Sequence, residues 1–501
     1  MTANQDAPSQ AGGLANRSLH GALFVISSSL GVKTINLGAQ LVLAWILVPN
    51  DFGLISLAFA VTSLTGILTA NGLQQVLVQK SKAFDANAGQ GLWLSIAMNT
   101  GAALISLALA PLAATIYNKP ELIPLIAGLV SVWPLAGLTS VYAAKVRKDL
   151  RFKVVSICDL GQGIIQHGGT VLCALSGLGV WSFILPLIPK TLFGWIISRY
   201  AAGPLPIEKP SFRKWPQLLK PTLWLTLTFG LTTLSTQGTF LILGAFFSTS
   251  DVGLFFWAVS IASQVIFVIA SNLATVLFPT LTHLRDEPDR LRTALASTAR
   301  LMLISCSFIA VLQAATCEPI IKLMFKPIWH PTISLIYWLS LSIPLHGLYT
   351  LSSSFLLADC QNRTNTLASA AKAFLILTGT LLGCLTGDLL SLALCTSLAL
   401  LLSYLMWTQI SLRHQRSLLA QLNNDILRTG LTFALSMYAT YQLSAVLTTT
   451  HPVGNLIVFG LIAVVTFTIS ASLFQRRALR ECLARARDYL RFLSKRTPNA
   501  A

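Results

Sequence analysis

The stretch VPNDFGLISLA, residues 48–58, returns 200 positions later as STSDVGLFFWA, residues 248–258. Both copies place Asp-x-Gly-Leu between two long apolar runs. An aspartate at such a turn can accept hydrogen bonds from the unpaired N–H groups at the start of the next helix. A neighbouring glycine lets two helices approach closely. We therefore predict two equivalent tight turns, with Gly53 and Gly253 at points of close approach.

The composition predicts an all-α polytopic membrane protein. The chain has 501 residues, of which 54% are hydrophobic and only 10% are charged, whereas roughly 25% of a soluble domain is charged. It is a series of apolar segments, each long enough for the roughly 20 residues of helix that cross a bilayer. We count about 14 transmembrane helices; counts of thirteen or twelve stay possible.

The distribution of basic residues supports this count. With the N-terminus inside, most Lys and Arg residues fall on inner loops and the tail, and only Lys119, Lys322 and Lys326 fall on outer loops. Lys and Arg concentrate on the cytoplasmic side of membrane proteins. The pattern predicts that both termini lie in the cytoplasm. The net charge of +18 is spread over loops, so it does not predict nucleic-acid binding.

Further pairs of motifs continue the repeat in the same order. APLAATIY (110–117) pairs with EPIIKLMF (318–325), and LAGL (135–138) pairs with LHGL (345–348). Two six-helix repeats followed by two more helices account for fourteen. The predicted divisions are a disordered cytoplasmic leader (1–19), an N-terminal repeat (20–203), a C-terminal repeat (204–412), two additional helices (413–475) and a basic amphipathic tail (476–501).

The tail alternates arginines with apolar residues at helical spacing. This pattern is typical of a helix lying on an anionic inner leaflet; a simple stop anchor after the last span is the alternative. The eight cysteines are scattered without a Cys-x-x-Cys pair, which favours buried small apolar residues over disulfides or a metal site.

Several motifs resemble one known family. They are LVPNDFGLISLAFAVTSL (47–64), GLQQVLVQK (72–80), KVRKDLRFKVVSICDL (145–160), GLGVWSFI (177–184) and LLADCQNRT (356–364). Together they resemble the polysaccharide transporter family, the bacterial O-antigen and exopolysaccharide flippases of the multidrug/oligosaccharidyl-lipid/polysaccharide (MOP) exporter superfamily. The resemblance covers roughly residues 20–410.

The resemblance implies a flippase that moves a polyprenyl-diphosphate-linked oligosaccharide across the bacterial cytoplasmic (inner) membrane by alternating access between two six-helix halves. An ion-coupled drug or metabolite antiporter, a lipid II-type flippase and a non-transporting membrane scaffold of a glycan-assembly complex are the alternatives. The partners implied are the lipid-linked substrate, anionic inner-leaflet lipids and a polysaccharide polymerase machinery.

Motifs of catalysis are missing from the sequence. There is no Walker A, His-Glu-x-x-His or Gly-x-Ser-x-Gly motif in a suitable context. We therefore expect no enzyme, no cofactor and no metal.

Polar residues inside the spans are the candidate site residues, because they are costly in a bilayer and tend to face a protein interior. Lys33 and Lys372 could supply a cationic cavity for the substrate diphosphate, although Lys33 could also extend its ammonium to the interface. Five amides lie in spans that line the portal in this superfamily, and they could bind sugars or serve as ordinary helix contacts. They are Gln40, Asn71, Gln237, Gln264 and Asn272.

Asp159 and His167 are candidates for binding a coupling ion. They lie eight residues apart in one span, close to two helical turns, so both can face one side. Histidine titrates near neutral pH. The alternative is that Asp159 only pairs with Arg151 or Lys153 of the adjacent basic loop.

Overall fold

The computed structural model describes residues 7–69, 71–79, 84–205, 209–264, 287–358, 362–413, 415–447, 452–476 and 478–481. Within these ranges every regular element is a helix. The predicted tail lies almost wholly outside the described residues. The α-helices are α1 (Ala7–Ile46), α2 (Pro49–Gly66), α3 (Asn71–Gln79), α4 (Phe84–Tyr117), α5 (Leu122–Val130), α6 (Trp133–Lys148), α7 (Phe152–Leu175), α8 (Leu187–Ala202), α9 (Pro216–Phe246), α10 (249–264, as far as described), α11 (Pro288–Met324), α12 (Thr332–Leu339), α13 (Ile343–Ala358), α14 (Asn362–Leu385), α15 (Leu389–Ser411), α16 (Arg416–Val446) and α17 (Pro452–Phe474).

Nine helical segments in the described part of the chain are long and apolar enough to cross a membrane. This confirms an all-helical multi-pass membrane protein; the total of fourteen spans stays a prediction. α1 begins at Ala7, inside the stretch predicted as a leader. That stretch is rich in alanine, the residue with the highest helix propensity.

Two apolar stretches that read as single spans are interrupted helices. α5 gives way to α6 at Trp133, with Pro134 in the first turn of α6. α12 gives way through a short 3-10 turn to α13, whose second residue is Pro344. Proline lacks the N–H that would continue the preceding helix, but it fits the first turn of a new one. The two prolines directly precede the paired motifs LAGL and LHGL, so corresponding positions of the proposed repeats are both interrupted.

The paired motifs APLAATIY and EPIIKLMF also behave alike. Pro111 lies inside α4 and Pro319 lies inside α11, and each is the second residue of its motif. Both helices run on for less than two further turns, to Tyr117 and Met324.

The chain forms two compact units, residues 1–256 and 257–501. In the first, α3, α4 and α6 pack around buried side chains such as Leu77, Phe84 and Val141. In the second, α11 packs on α13 and α16 through residues such as Met302 and Leu348. This division follows packing, whereas the boundary predicted at 203/204 follows the sequence repeat, and that boundary stays a prediction.

Candidate functional site

The two Asp-x-Gly-Leu turns pack directly against each other within the first unit. A Cβ atom on Gly53 would lie 1.8 Å from the carbonyl oxygen of Thr249. A Cβ atom on Gly253 would lie 1.8 Å from the carbonyl oxygen of Pro49 and 2.8 Å from the backbone nitrogen of Gly53. Only glycine allows backbones to approach this closely. The predicted close approach is therefore confirmed, and the repeated motif is explained by a contact between its two copies.

The two aspartates stabilise the helix starts from the third helical position. The Val48 N–H donates to Asp51 Oδ2 at 3.3 Å. In the second copy the Asp251 N–H donates to Ser248 Oγ at 3.2 Å, and Ser248 Oγ donates to Asp251 Oδ2 at 2.6 Å. This is the capping-box arrangement, in which the side chain reaches back to the cap residue. Burial raises the pKa of the Asp51 carboxyl, and the hydrogen bond from Val48 opposes that rise.

Lys33 lies beside the close crossing of α1 and α7. A Cβ on Gly31 would lie 3.2 Å from Leu160 Cδ1, and one on Gly163 would lie 2.7 Å from Val32 Cγ2. Small residues thus bring the two helices together on both sides of the crossing. The Lys33 side chain is half-buried next to it.

The two ion-coupling candidates have different surroundings on α7. Asp159 lies close enough to Arg147, at the end of α6, for their charges to interact. Arg151, one of the two partners expected from the sequence, instead donates from Nη1 to the carbonyl oxygen of Ala201 at 2.8 Å. His167, two turns along α7, lies near Lys190 of α8. An ion-coupling role for either residue stays a prediction.

Four of the five amide candidates lie on four different helices, and the fifth lies outside the described residues. Gln40 of α1, Gln237 of α9 and Gln264 of α10 are half-buried. Asn71 is the first residue of α3, and its side chain is not described. Asn272 lies outside the described residues. Sugar binding by these residues stays a prediction.

Lys372 is enclosed by aromatic rings inside the second unit. Its side chain projects from α14 and is only 7% exposed. The ammonium Nζ lies 4.0 Å from the ring centre of Tyr349 on α13 and 5.6 Å from that of Tyr404 on α15. These are cation–π contacts, which are strongest when the cation is desolvated. With the residues that the structure describes, Lys372 forms no ion pair.

The rings around Lys372 hold one another in place. Tyr349 and Tyr404 stack with their centres 5.1 Å apart, and Trp407 meets Tyr349 edge-on at 5.0 Å. His346 Nδ1 lies 3.0 Å from the Tyr404 hydroxyl, so a hydrogen bond joins them. We call these five residues the Lys372 cage. A buried cation, an imidazole and a phenol thus share one compact polar cluster.

Sequence reasoning identified the lysine but not its cage. His346 and Tyr349 are three residues apart on α13, as are Tyr404 and Trp407 on α15. Residues three apart share a helix face, so these two pairs were the available signal. In the described part of the chain, His, Cys, Asp and Glu form no cluster of three or more that could hold a metal ion.

Comparison with known proteins identifies relatives over most of this architecture. A family of polysaccharide biosynthesis proteins matches residues 42–334, more than half of the chain. The succinoglycan biosynthesis transport protein ExoT of Rhizobium meliloti is 24% identical over 320 residues, which are 63% of each chain. The lipopolysaccharide biosynthesis protein WzxC of Escherichia coli is 20% identical over 288 residues, which are 56% of this chain and 57% of WzxC. The chain therefore matches less than two thirds of the length of these two relatives.

Solved structures share the fold. The lipid II flippase MurJ in an inward closed conformation superposes with a TM-score of 0.71 at 15% identity, covering 91% of this chain and 99% of that one. A multidrug resistance transporter of the MATE family and MOP superfamily, in an inward-facing conformation, gives 0.55 at 14% identity, covering 79% and 94%.

The protein is therefore an all-helical, multi-pass membrane protein with the MOP fold. The chain belongs to the family of polysaccharide biosynthesis proteins, which confirms the resemblance seen in the sequence. The relatives are transport and biosynthesis proteins, in agreement with the prediction that the chain is not an enzyme.

Proposed function

We propose that this protein is a flippase for a polyprenyl-diphosphate-linked oligosaccharide, an O-antigen or exopolysaccharide repeat unit, in the bacterial inner membrane. The observation that carries the proposal is the family match over residues 42–334, together with relatives that act in succinoglycan transport and lipopolysaccharide biosynthesis. Succinoglycan is a polysaccharide and lipopolysaccharide contains one, so a carrier-linked oligosaccharide is the cargo that fits both relatives.

Interrupted helices support a transport mechanism. In repeat-built transporters, helices broken at corresponding positions of the two halves mark the region of the binding site. The breaks before Pro134 and Pro344 occur at corresponding places of the sequence repeat. We propose alternating access by fourteen spans, with both termini in the cytoplasm.

Lys33 is our first candidate for contact with the substrate diphosphate. It is half-buried in α1, and a phosphate removed from water needs charged hydrogen-bond donors. Gln40 and Gln237 are candidates for sugar contacts. Lys372 is enclosed in its cage in the conformation described, so a role in substrate contact requires the surrounding rings to move.

Complementation of a gene deletion tests the proposal. The deletion strain is complemented with the wild type, Lys33→Ala, Lys33→Arg and, as a matched control, Lys326→Ala, which removes an exposed loop lysine. The readout is the amount of lipid-linked oligosaccharide on each face of the inner membrane, at equal protein levels. We expect the deletion and Lys33→Ala to retain it on the cytoplasmic face, and Lys33→Arg and Lys326→Ala to restore export.

Two outcomes would contradict parts of this proposal. If lipid-linked oligosaccharide crosses normally in the deletion strain, the flippase function is wrong, and antiport of a small molecule is the next test. If Lys33→Ala restores export as fully as Lys326→Ala does, the function stands but Lys33 does not contact the diphosphate.

A further inference from the structure

A polar cavity opens in the second unit, and no residue of the Lys372 cage lines it. It has a volume of about 660 Å³ and is lined by residues from α11, α16 and the end of α17. The lining lies in the N-terminal half of α11, in the N-terminal half of α16 and at the C-terminal end of α17. The positive-inside pattern assigns this end of the three helices to the cytoplasmic side.

One arginine is built into the wall of this cavity. Arg300 has a side chain that is 10% exposed, and its Nε and Nη2 donate to the two carboxylate oxygens of Glu481, each at 3.4 Å. Its Nη1 lies 3.8 Å from Asp425 Oδ2. Such a paired guanidinium is fixed in position, and the two carboxylates offset its charge. Arg300 therefore anchors the cavity and does not supply its free positive charge.

Two further arginines do supply that charge. Arg428 and Arg476 line the same cavity and are exposed. Arg476 Nε donates to the carbonyl oxygen of Ser472 at 2.8 Å, which orients the guanidinium. With the residues that the structure describes, neither arginine forms an ion pair. The cavity therefore presents two guanidinium groups available to an anion.

The remaining lining suits a headgroup better than a small ion. Gln475 is buried and donates from Nε2 to Thr429 Oγ1 at 2.6 Å, which makes one wall a fixed polar surface. At the edge, Leu473 of α17 is 59% exposed, and Leu427 of α16, next to Arg428, is 63% exposed. Such apolar side chains can contact acyl chains. A cavity of this volume lies in the range of sites for organic ligands, roughly 300–1,000 Å³.

We propose that this cavity binds the phosphate headgroup of an anionic membrane phospholipid. Arginine guanidinium groups bind phosphate with charge-assisted hydrogen bonds, and basic pockets between transmembrane helices on the cytoplasmic side suit anionic headgroups. The neighbouring exposed leucines favour a membrane phospholipid over free phosphate as the source of that group. The bound lipid would link α11 and α16 to the end of α17.

Direct binding to the purified full-length protein tests the proposal. A fluorescent phosphatidylglycerol is titrated in detergent, and its anisotropy is followed. The test variant is the double substitution Arg428→Gln/Arg476→Gln. The matched control, Arg292→Gln/Arg416→Gln, removes the same charge from two exposed arginines outside the cavity lining, more than two helical turns from Arg300 on α11 and from Arg428 on α16. We expect the test variant to weaken binding about thirtyfold, about 1 kcal/mol for each cation lost, and the control to weaken it less than about threefold, because distant charges are screened by salt.

Competition identifies the source of the phosphate. We expect unlabelled phosphatidylglycerol to displace the probe and phosphatidylcholine not to do so. If millimolar inorganic phosphate displaces the probe as strongly as unlabelled phosphatidylglycerol does, the cavity is a free-phosphate site. If undecaprenyl diphosphate displaces the probe better than phosphatidylglycerol does, the cavity is a substrate site. Either result overturns the proposal. Equal weakening by the test and control variants would also overturn it. None of these results depends on transport, so the proposal fails or stands separately from the flippase function.

Discussion

Replacing Gly53 by alanine tests the contact that explains the repeated motif. The added methyl carbon would lie 1.8 Å from the Thr249 carbonyl oxygen and 2.8 Å from the Thr249 carbonyl carbon. An ordinary carbon–oxygen contact is about 3.3 Å, so the two helix starts must separate by about 1.5 Å. The obstructing atoms belong to the backbone and cannot rotate away. We expect the free energy of unfolding to fall by about 1–3 kcal/mol, the usual cost of overpacking.

The matched control is Gly101→Ala, which adds the same methyl group to α4 where no other atom lies within 4 Å of it. Alanine has the higher helix propensity, so this control should unfold at the same temperature as the wild type or above it. Thermal unfolding of the purified proteins in one detergent measures both variants. Gly53→Ala unfolding at the temperature of Gly101→Ala would refute the reasoning.

A double substitution makes the test specific to the crossing. The Cβ of Gly253→Ala would meet the Pro49 carbonyl oxygen at 1.8 Å, so it obstructs the same approach from the other helix. Once one substitution has separated the helices, the second has less contact left to disrupt. We expect Gly53→Ala/Gly253→Ala to lose clearly less than the sum of the two single losses. Full additivity would mean that the two glycines serve unrelated contacts.

Two further predictions concern charged side chains. Lys372→Met should raise the unfolding temperature, because a buried ammonium without a carboxylate costs several kcal/mol, whereas the close cation–π contact with Tyr349 returns about 2 kcal/mol and the longer one with Tyr404 returns less; thermal unfolding checks this, and a lower temperature would mean that the rings outweigh the burial cost. The same variant should lower oligosaccharide export in the complementation assay, whereas unchanged export would make Lys372 structural only. Asp388→Ala should cost about 1 kcal/mol, because Asp388 Oδ2 accepts the Ser391 N–H at 3.1 Å at the start of α15, while Asp388→Asn should cost little. That bond lowers the pKa of the Asp388 carboxyl. Its contribution to the stability of the fold is therefore present above the unfolded-state pKa and is lost as pH falls through the lower folded-state pKa. A wild-type advantage in stability over Asp388→Ala that persists at acid pH would contradict this.

The sequence revealed the close approach at the turns because the requirement is local. A glycine repeated beside a capping residue indicates a position where a Cβ atom does not fit. Gly53 and Gly253 are two such positions, and each faces the backbone of the other turn. The role of the aspartates was predicted less accurately. Asp51 and Asp251 cap from the third helical position, which depends on where each helix begins.

Interrupted helices were harder to predict than apolar spans. Mostly apolar residues lie on both sides of the breaks before Pro134 and Pro344, so each stretch reads in the sequence as one continuous span. The prolines were the available signal, but Pro111 and Pro319 lie inside unbroken helices. Whether a proline ends a helix or is accommodated within it depends on the packing around it.

The Lys372 cage depends on tertiary structure. Its five residues come from α13, α14 and α15, and no spacing in the sequence relates position 372 to positions 349 and 404. The partner of Asp159 shows the same dependence. Proximity in sequence favoured Arg151 and Lys153, but the turn between α6 and α7 directs Arg151 to the Ala201 carbonyl and leaves Arg147 near the aspartate.

Reconstituted transport is the most direct test of the proposed function. The purified protein is placed in liposomes that contain a polyprenyl-diphosphate-linked oligosaccharide, and a membrane-impermeant glycosidase is added outside. With the protein present, we predict that the enzyme digests the oligosaccharide of both leaflets within minutes. In protein-free liposomes, about half of the total oligosaccharide, the part in the inner leaflet, stays protected. Protection of the inner leaflet equal to that in protein-free liposomes, with correctly folded protein present, would contradict the flippase function.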